Sequence, residues 1–206
     1  MLELTNMKKD IRKEVYFMVD VEADGPIPAK YNMNSFGAVA YAIHSDLGTE
    51  YLDVFDTKNQ FYRELKPSTD NFIPEAIAVG GFTHEGLQKT GTDPEEAMTD
   101  FNTFLTDTTR NVGGQLPVFA AYPLGFNWMF TYWYQINFTG ESPFGHSRHK
   151  DLKTEYATKA DTTISGSVKS RMPRHLFGKA PHTHNALDDA VEQALLAQNI
   201  MKWDGK

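Results

Sequence analysis

Short apolar runs alternate along this chain with longer stretches whose apolar positions fall three and four residues apart. Val15 to Val21 is β-branched and aromatic and too short for a helix, which predicts a buried strand over 15–21. Gly25-Pro26 ends it and opens a turn region over 24–34. Phe36 to Ile43 is a second strand-like run, followed by the hairpin turn Ser45-Asp46-Leu47-Gly48 and further strands over 51–55 and 60–65. The simplest arrangement of these pieces is an antiparallel meander. Pro74–Val79 and Thr83–Leu87 read as short helices. Asp93-Pro94-Glu95-Glu96 is a helix start, with Asp as cap, and Ala97, Phe101, Phe104 and Leu105 carry the helix to near Arg110. A strand over 116–121, an aromatic helix over 126–138 and a short helix over 151–157 follow. The last helix starts at the cap Asn185, with Leu187, Ala190, Val191, Ala194, Leu195 and Ala197 as its apolar stripe. The order predicts a mixed α/β fold with one parallel crossover. The length of 206 residues suits a single domain over 1–206. Within it, 1–14 reads as a peripheral N-terminus and 159–183 as a long basic connection, of a length that is usually functional or mobile.

Composition narrows the chemistry. There is no cysteine, which excludes disulfides, thiolate nucleophiles, zinc knuckles and iron–sulfur clusters. No stretch approaches the length of a membrane span, and Lys8, Lys9, Asp10, Arg12, Lys13 and Glu14 break the N-terminus. The expectation is therefore no signal peptide, no membrane partner and a cytoplasmic location. The net charge of -7 argues against coating nucleic acid through a broad basic surface. The charge is uneven, however: Arg148 to Lys179 holds eight basic and three acidic residues, so that segment is +5 and the remainder -12. Such a segment is either a phosphate-facing lip or a solvated loop.

Two clusters carry candidate chemistry. Residues i and i+2 of a strand share a face, so Asp20 and Glu22 project together from the end of the first strand. Paired carboxylates repel unless something positive lies between them, and hard cations such as Mg²⁺ or Mn²⁺ choose oxygen ligands. The plain alternative is a strand emerging into solvent with acids at its tip. Near the C-terminus, His184 precedes the last helix, and Asp188 and Asp189 lie in its first turns. Asp188 can interact with the helix dipole, while Asp189, turned about 100° from it, is available for other work. His184 supplies an imidazole able to take a proton near neutral pH.

Asp20-Val21-Glu22 and His184-Asn185-Ala186-Leu187-Asp188-Asp189 resemble the first and last motifs of the DEDD 3′-to-5′ exonucleases, histidine subclass. These nucleases are related to ribonuclease T, oligoribonuclease and proofreading domains. The wording Asp20-Val-Glu-Ala-Asp-Gly-Pro-Ile-Pro28 and Phe72-Ile-Pro-Glu-Ala76 is similar to a bacterial and phage group of ribonuclease T-like exonucleases. The resemblance covers about residues 15–200. It implies a ribonuclease H-like mixed sheet flanked by helices. It also implies two Mg²⁺ or Mn²⁺ ions, Asp20 touching both, Glu22 and Asp189 completing one, and His184 as general base. The expected activity is 3′-5′ exonuclease, an exoribonuclease in the first place, releasing nucleoside 5′-monophosphates from a single-stranded or 3′-overhang RNA or DNA end. A homodimer is compatible with the relatives.

One departure stands out. The family's middle motif carries an aspartate where this chain has Asn127, in Leu124-Gly125-Phe126-Asn127-Trp128. An amide brings no negative charge, so the resemblance implies a weakened second metal site and an impaired or inactivated enzyme. By analogy Ala23, Asp24, Ser35 and Phe36 would touch the terminal sugar and base. Asp24 would accept from a 2′-hydroxyl, with turn chemistry as its alternative. Phe36 or Trp128 would stack on a base or else lie in the core. The basic residues of 148–179, notably Arg171 and Arg174, are candidates for upstream phosphates. Two other classes stay open: a catalytically degenerate nucleic-acid-binding module with the same fold, and a metal-dependent phosphohydrolase of small nucleotides.

Overall fold

The computed structural model describes residues 12–180 and 183–205; most of the predicted peripheral stretch 1–14 lies outside them. Strand β1 runs Glu14–Ala23, β2 Met33–Ser45, β3 Gly48–Tyr51 and β4 Gln60–Glu64. Helices α1 (Pro74–Val79), α2 (His84–Thr90) and α3 (Pro94–Asn111) follow. Strand β5 (Leu116–Ala121) leads into α4 (Leu124–Thr139). The chain continues through β6 (His149–Asp151), α5 (Leu152–Lys159) and α6 (Ala186–Lys202). The sheet order is β3-β2-β1-β5-β6, and β4 also pairs with β2. β1 is antiparallel to β2 and parallel to β5, and β5 is parallel to β6. This is the expected mixed sheet flanked by helices.

Alternation along β1 sorts its side chains into two cores. Val15, Phe17, Val19 and Val21 join Phe36, Phe101, Leu105 and Phe130 under α3 and α4. Met18 faces the other way, into the layer of Tyr41, Ala190, Ala194 and Ala197 under α6. Asp20 and Glu22 continue the Met18 face, so they come out beneath the start of α6. Gly37, opposite Asp20 in the β1–β2 register, makes this close packing possible. A Cβ there would lie 2.5 Å from the carbonyl of Ala186 and the backbone of Leu187. The absence of a side chain lets the N-terminus of α6 rest directly on the sheet.

The structure corrects several expected elements. The strand expected over 51–55 is instead 48–51, and it stops at Tyr51. Beyond it Asp53 accepts from the Phe55 amide at 2.9 Å and Asp56 caps a short 3₁₀ turn, so local side-chain bonds win over strand pairing. β6 was not expected: it has three residues, all polar, and gives no periodic pattern. Its pairing with β5 makes a second parallel pair where one crossover was expected. Asp151 is not a helical residue but a double cap. One oxygen accepts from the Leu124 amide at 3.1 Å at the start of α4, and the other accepts from the Thr154 amide in α5 at 3.1 Å. The connection 159–183 is not a bare loop. Its described part holds three 3₁₀ turns, Ile164–Gly166, Lys169–Arg171 and Arg174–Leu176, and buries Ser167, Met172 and Leu176. Among the described residues no helix is long and apolar enough to cross a membrane.

Candidate active site

The C-terminal end of β1 opens into a cleft of about 340 Å³ lined by Asp20, Glu22, Tyr122, Phe126, Asn127, Lys169, His184, Asp189 and Gln193 among others. Four parts of the chain meet there: the tip of β1, the start of α4, the segment before Met172, and the start of α6. Asp20 is 9% exposed. Its Oδ1 accepts from Asn127 Nδ2 at 3.1 Å and from Gln193 Nε2 at 3.0 Å. Both bonds fall on one oxygen, which leaves Oδ2 for a ligand. Burial, against these two hydrogen bonds and with the Asp189 charge nearby, raises the Asp20 carboxyl to about 6. Burial, then the charges of Asp20 and Asp189, raise Glu22 to about 7.

The start of α6 supplies the opposite wall. Asn185 caps the helix by accepting from the amides of Leu187 at 3.0 Å and Asp188 at 3.3 Å. Asp188 faces outward and accepts from Thr183 Oγ1 at 2.7 Å. Asp189, 2% exposed, accepts from the Thr183 amide at 3.1 Å and turns into the cleft. The division between the two acids is the one that helix geometry predicts. His184 is exposed at the cleft edge and adopts a left-handed backbone with φ of 59°, a conformation uncommon for a residue with a side chain.

The donor set fits a divalent cation. Ligand atoms of Glu22, His184 and Asp189 lie within 4.8 Å of one another. Asp20 is beside them in the same cleft, and Gln193 Oε1 is buried without a hydrogen-bond partner among the described residues. Carboxylate oxygens gathered in this way suit a divalent cation. The upward shifts of Asp20 and Glu22 come first from burial and then from neighbouring carboxylate charge, and a cation there would oppose both. Asn127 also lines the cleft, where it presents an amide hydrogen to Asp20.

The remaining expected contacts divide. Phe36 is fully buried and packs edge-on to Phe101 at 5.0 Å between centroids, so it is core and has no face for a base. Trp128 points away from the acids. It packs on Phe119 and Tyr132 and lines a separate apolar groove with Pro28, Met129 and Ile136. Asp24 is fully buried, with Asn32 donating to both its oxygens at 2.7 and 2.8 Å, so the carboxylate closes the 24–32 turn and is not open to a 2′-hydroxyl. Ser35 is buried opposite Glu22 in the register, and Ala23 is partly buried against the core. Arg171 and Arg174 are exposed and do not line the cleft. Residues that do, and that sequence reasoning did not single out, include Tyr122, Phe126, Lys169 and Gln193. Phe126 is available from the sequence as the neighbour of Asn127. Gln193 has no such marker, because a polar residue in mid-helix reads as solvent-facing.

No family model matches the chain. It is 31% identical over 194 residues to the 3′-5′ DNA exonuclease Cap18 of Escherichia coli, covering 94% of this chain and 95% of that protein. Among solved structures it is similar to the nuclease domain of 3′hExo, a DEDDh family member bound to rAMP. The TM-score there is 0.64 with 13% identity, covering 96% of each chain. Cell-death related nuclease 4 gives a TM-score of 0.62 with 16% identity, covering 91% of this chain and 64% of that one. Escherichia coli exonuclease I in complex with a dT13 oligonucleotide gives 0.62 with 13% identity, covering 91% of this chain and 40% of that one. These distant likenesses establish the ribonuclease H-like fold. The near full-length relative goes further, and with it the chain belongs to the DEDD superfamily of 3′-5′ exonucleases.

Proposed function

We propose that the chain is a divalent-cation-dependent exonuclease that trims single-stranded DNA from its 3′ end and releases nucleoside 5′-monophosphates. One observation carries this reading. Asp20 and Glu22 from β1, Asn127 from α4, and His184 and Asp189 at the start of α6 line one cleft. Two facts favour DNA over RNA. The relative of similar length is named a DNA exonuclease, and Asp24, the residue that would have recognised a 2′-hydroxyl, is closed off by Asn32.

Asp20, Glu22 and Asp189 would hold Mg²⁺ or Mn²⁺. When bound, such an ion would supply Lewis-acid chemistry, polarising a phosphodiester and acidifying water. The residues of the chain do the rest. Asn127 and Gln193 fix the Asp20 carboxylate in one orientation through Oδ1. A ring nitrogen of His184, at the open edge of the cleft, takes a proton from the attacking water. Phe126 gives the cleft an aromatic wall against which a terminal base can stack. Three carboxylates in so small a space repel a phosphodiester, so substrate entry depends on positive charge brought to the site.

A second reading has its own support. Asn127 contributes no charge, and this favours a degenerate module that binds nucleic acid without cutting it. The test uses 5′-labelled dT20 and U20 with Mn²⁺, beside free thymidine monophosphate. Stepwise shortening of the DNA with the mononucleotide untouched supports the exonuclease. Binding without shortening, in this chain and in Asn127→Asp alike, supports the module. Preferential shortening of the RNA overturns the DNA assignment.

A further inference from the structure

We propose that Lys169 is a phosphate-binding residue of the active-site cleft, its ammonium held on the cleft wall by Glu192 so that it meets a phosphate of the nucleic-acid chain. The inference rests on the nuclease reading above and adds to it a cation that belongs to the protein.

Lys169 opens the 3₁₀ turn Lys169–Arg171 and lines the same cleft as Asp20, Glu22 and Asp189. Three features fix it there. Its Nζ pairs with Glu192 Oε2, and the two side chains are only 26% and 11% exposed. The ammonium lies 5.7 Å from the centroid of the Tyr122 ring, within range of a cation–π attraction. The Tyr122 hydroxyl donates to the carbonyl of Ser167, which ties the segment two residues before Lys169 to the end of β5. Glu192 in turn adjoins Gln193, the donor to Asp20. The lysine is thus built into the same frame as the acids.

Fastening a loop does not require such an arrangement. A lysine gives up much rotamer freedom when it is ordered, and desolvation offsets much of what a part-buried ion pair returns. What the arrangement achieves is a fixed positive charge in a cleft otherwise lined by three carboxylates, where an anionic chain has to enter. An ammonium is a compact charge with three donors, suited to a phosphate oxygen. Arg171 and Arg174 belong to the same basic segment but stand outside the cleft, which sets Lys169 apart from them.

The test is fluorescence anisotropy with 5′-fluorescein-labelled dT10 in EDTA, so that binding is read without turnover, over a series of salt concentrations. Lys169→Met is expected to weaken binding about tenfold at low salt and to reduce the log–log salt slope by about 0.7, the loss of one single-strand phosphate contact. Lys169→Arg and Glu192→Gln keep the charge and are expected to keep the slope. Lys89→Met, which removes a paired lysine from exposed α2, is expected to change nothing. Should Lys169→Met fold poorly because Glu192 loses the lysine ammonium, Lys169→Met/Glu192→Leu removes both charges, and the same slope loss is expected. An unchanged affinity and slope in the lysine variants overturns the proposal while leaving the exonuclease reading intact. Equal weakening by Lys169→Met and Glu192→Gln with no change of slope also overturns it, because a purely structural tie behaves that way. Failure of the unmodified chain both to bind and to shorten dT10 sinks the nuclease reading and the proposal together.

Discussion

Asn127 Nδ2 donates to Asp20 Oδ1 at 3.1 Å, joining two residues 107 positions apart in the chain. The bond orients the Asp20 carboxylate, but it places a neutral amide where a fourth acid would help hold a second cation. Two divalent ions held side by side would repel one another, and anionic ligands would be needed to offset that. Asn127→Asp is therefore expected to raise Mn²⁺-dependent shortening of a 5′-labelled oligonucleotide by at least about tenfold, a gain of roughly 1.4 kcal/mol in transition-state stabilisation. Initial rates on denaturing gels decide this. Equal rates in the two forms would remove the meaning assigned to position 127.

His184 lies within ligand range of Glu22 and Asp189, yet it is exposed and sits on a left-handed backbone at the edge of the cleft. As a proton acceptor it should be needed for rate and dispensable for ion binding. In the Asn127→Asp background, His184→Ala is expected to reduce shortening by about 10² to 10⁴ while Mn²⁺ affinity stays within a few-fold. Loss of Mn²⁺ binding together with rate would make His184 a ligand instead.

The acids leave a signature in the ion-free protein. A carboxyl whose folded pKa lies above its unfolded value binds its proton more tightly when folded. The stability this contributes is present below about pH 4 and is lost as pH rises through about 6 for Asp20 and about 7 for Glu22. For Asp20, moving from 3.8 to about 6 corresponds to at most about 3 kcal/mol. Asp20→Asn keeps an acceptor for Asn127 and Gln193 and removes the charge. It is expected to raise Tm of the ion-free chain by roughly 5 °C at pH 8 and by little at pH 4. A lower Tm at pH 8 would mean that the carboxylate is stabilised by something other than a cation.

Gln193 holds Asp20 from α6 at 3.0 Å. Gln193→Leu preserves bulk and removes the donor. The expected result is a loss of about tenfold or more in Mn²⁺ affinity, the usual effect of removing a group that orients a ligand, with Tm nearly unchanged. Unaltered affinity would show that Asn127 alone suffices to orient the carboxylate.

Much of this was legible in the sequence because the chemistry coincides with regular elements. Asp20 and Glu22 share a face by strand alternation, and Asp189 is separated from Asp188 by helix geometry. Asn185 caps α6, and Asn127 follows from motif order. Tertiary context decided the rest. Phe36 and Trp128 stayed open between stacking and core because sequence position does not distinguish a buried ring from one at a cleft; Phe36 is core and Trp128 packs on Phe119 and Tyr132. For Asp24 the turn-chemistry alternative holds, but its partner Asn32 is eight residues on, across a turn with no periodic signal to name it. β6 was too short and polar to show a pattern. Lys169 was one of eight basic residues in its segment, and only folding of that segment against Tyr122 and α6 sets it apart.

The central claim is that acids distant in sequence converge to hold a divalent ion, and calorimetric titration with Mn²⁺ tests it most directly. The account predicts saturable binding to the unmodified chain. It predicts a loss of about 10–100-fold or more in Asp20→Asn and in Asp189→Asn, and none in Glu95→Gln, which alters an acid at the start of α3. Equal Mn²⁺ affinity in all four proteins would contradict it.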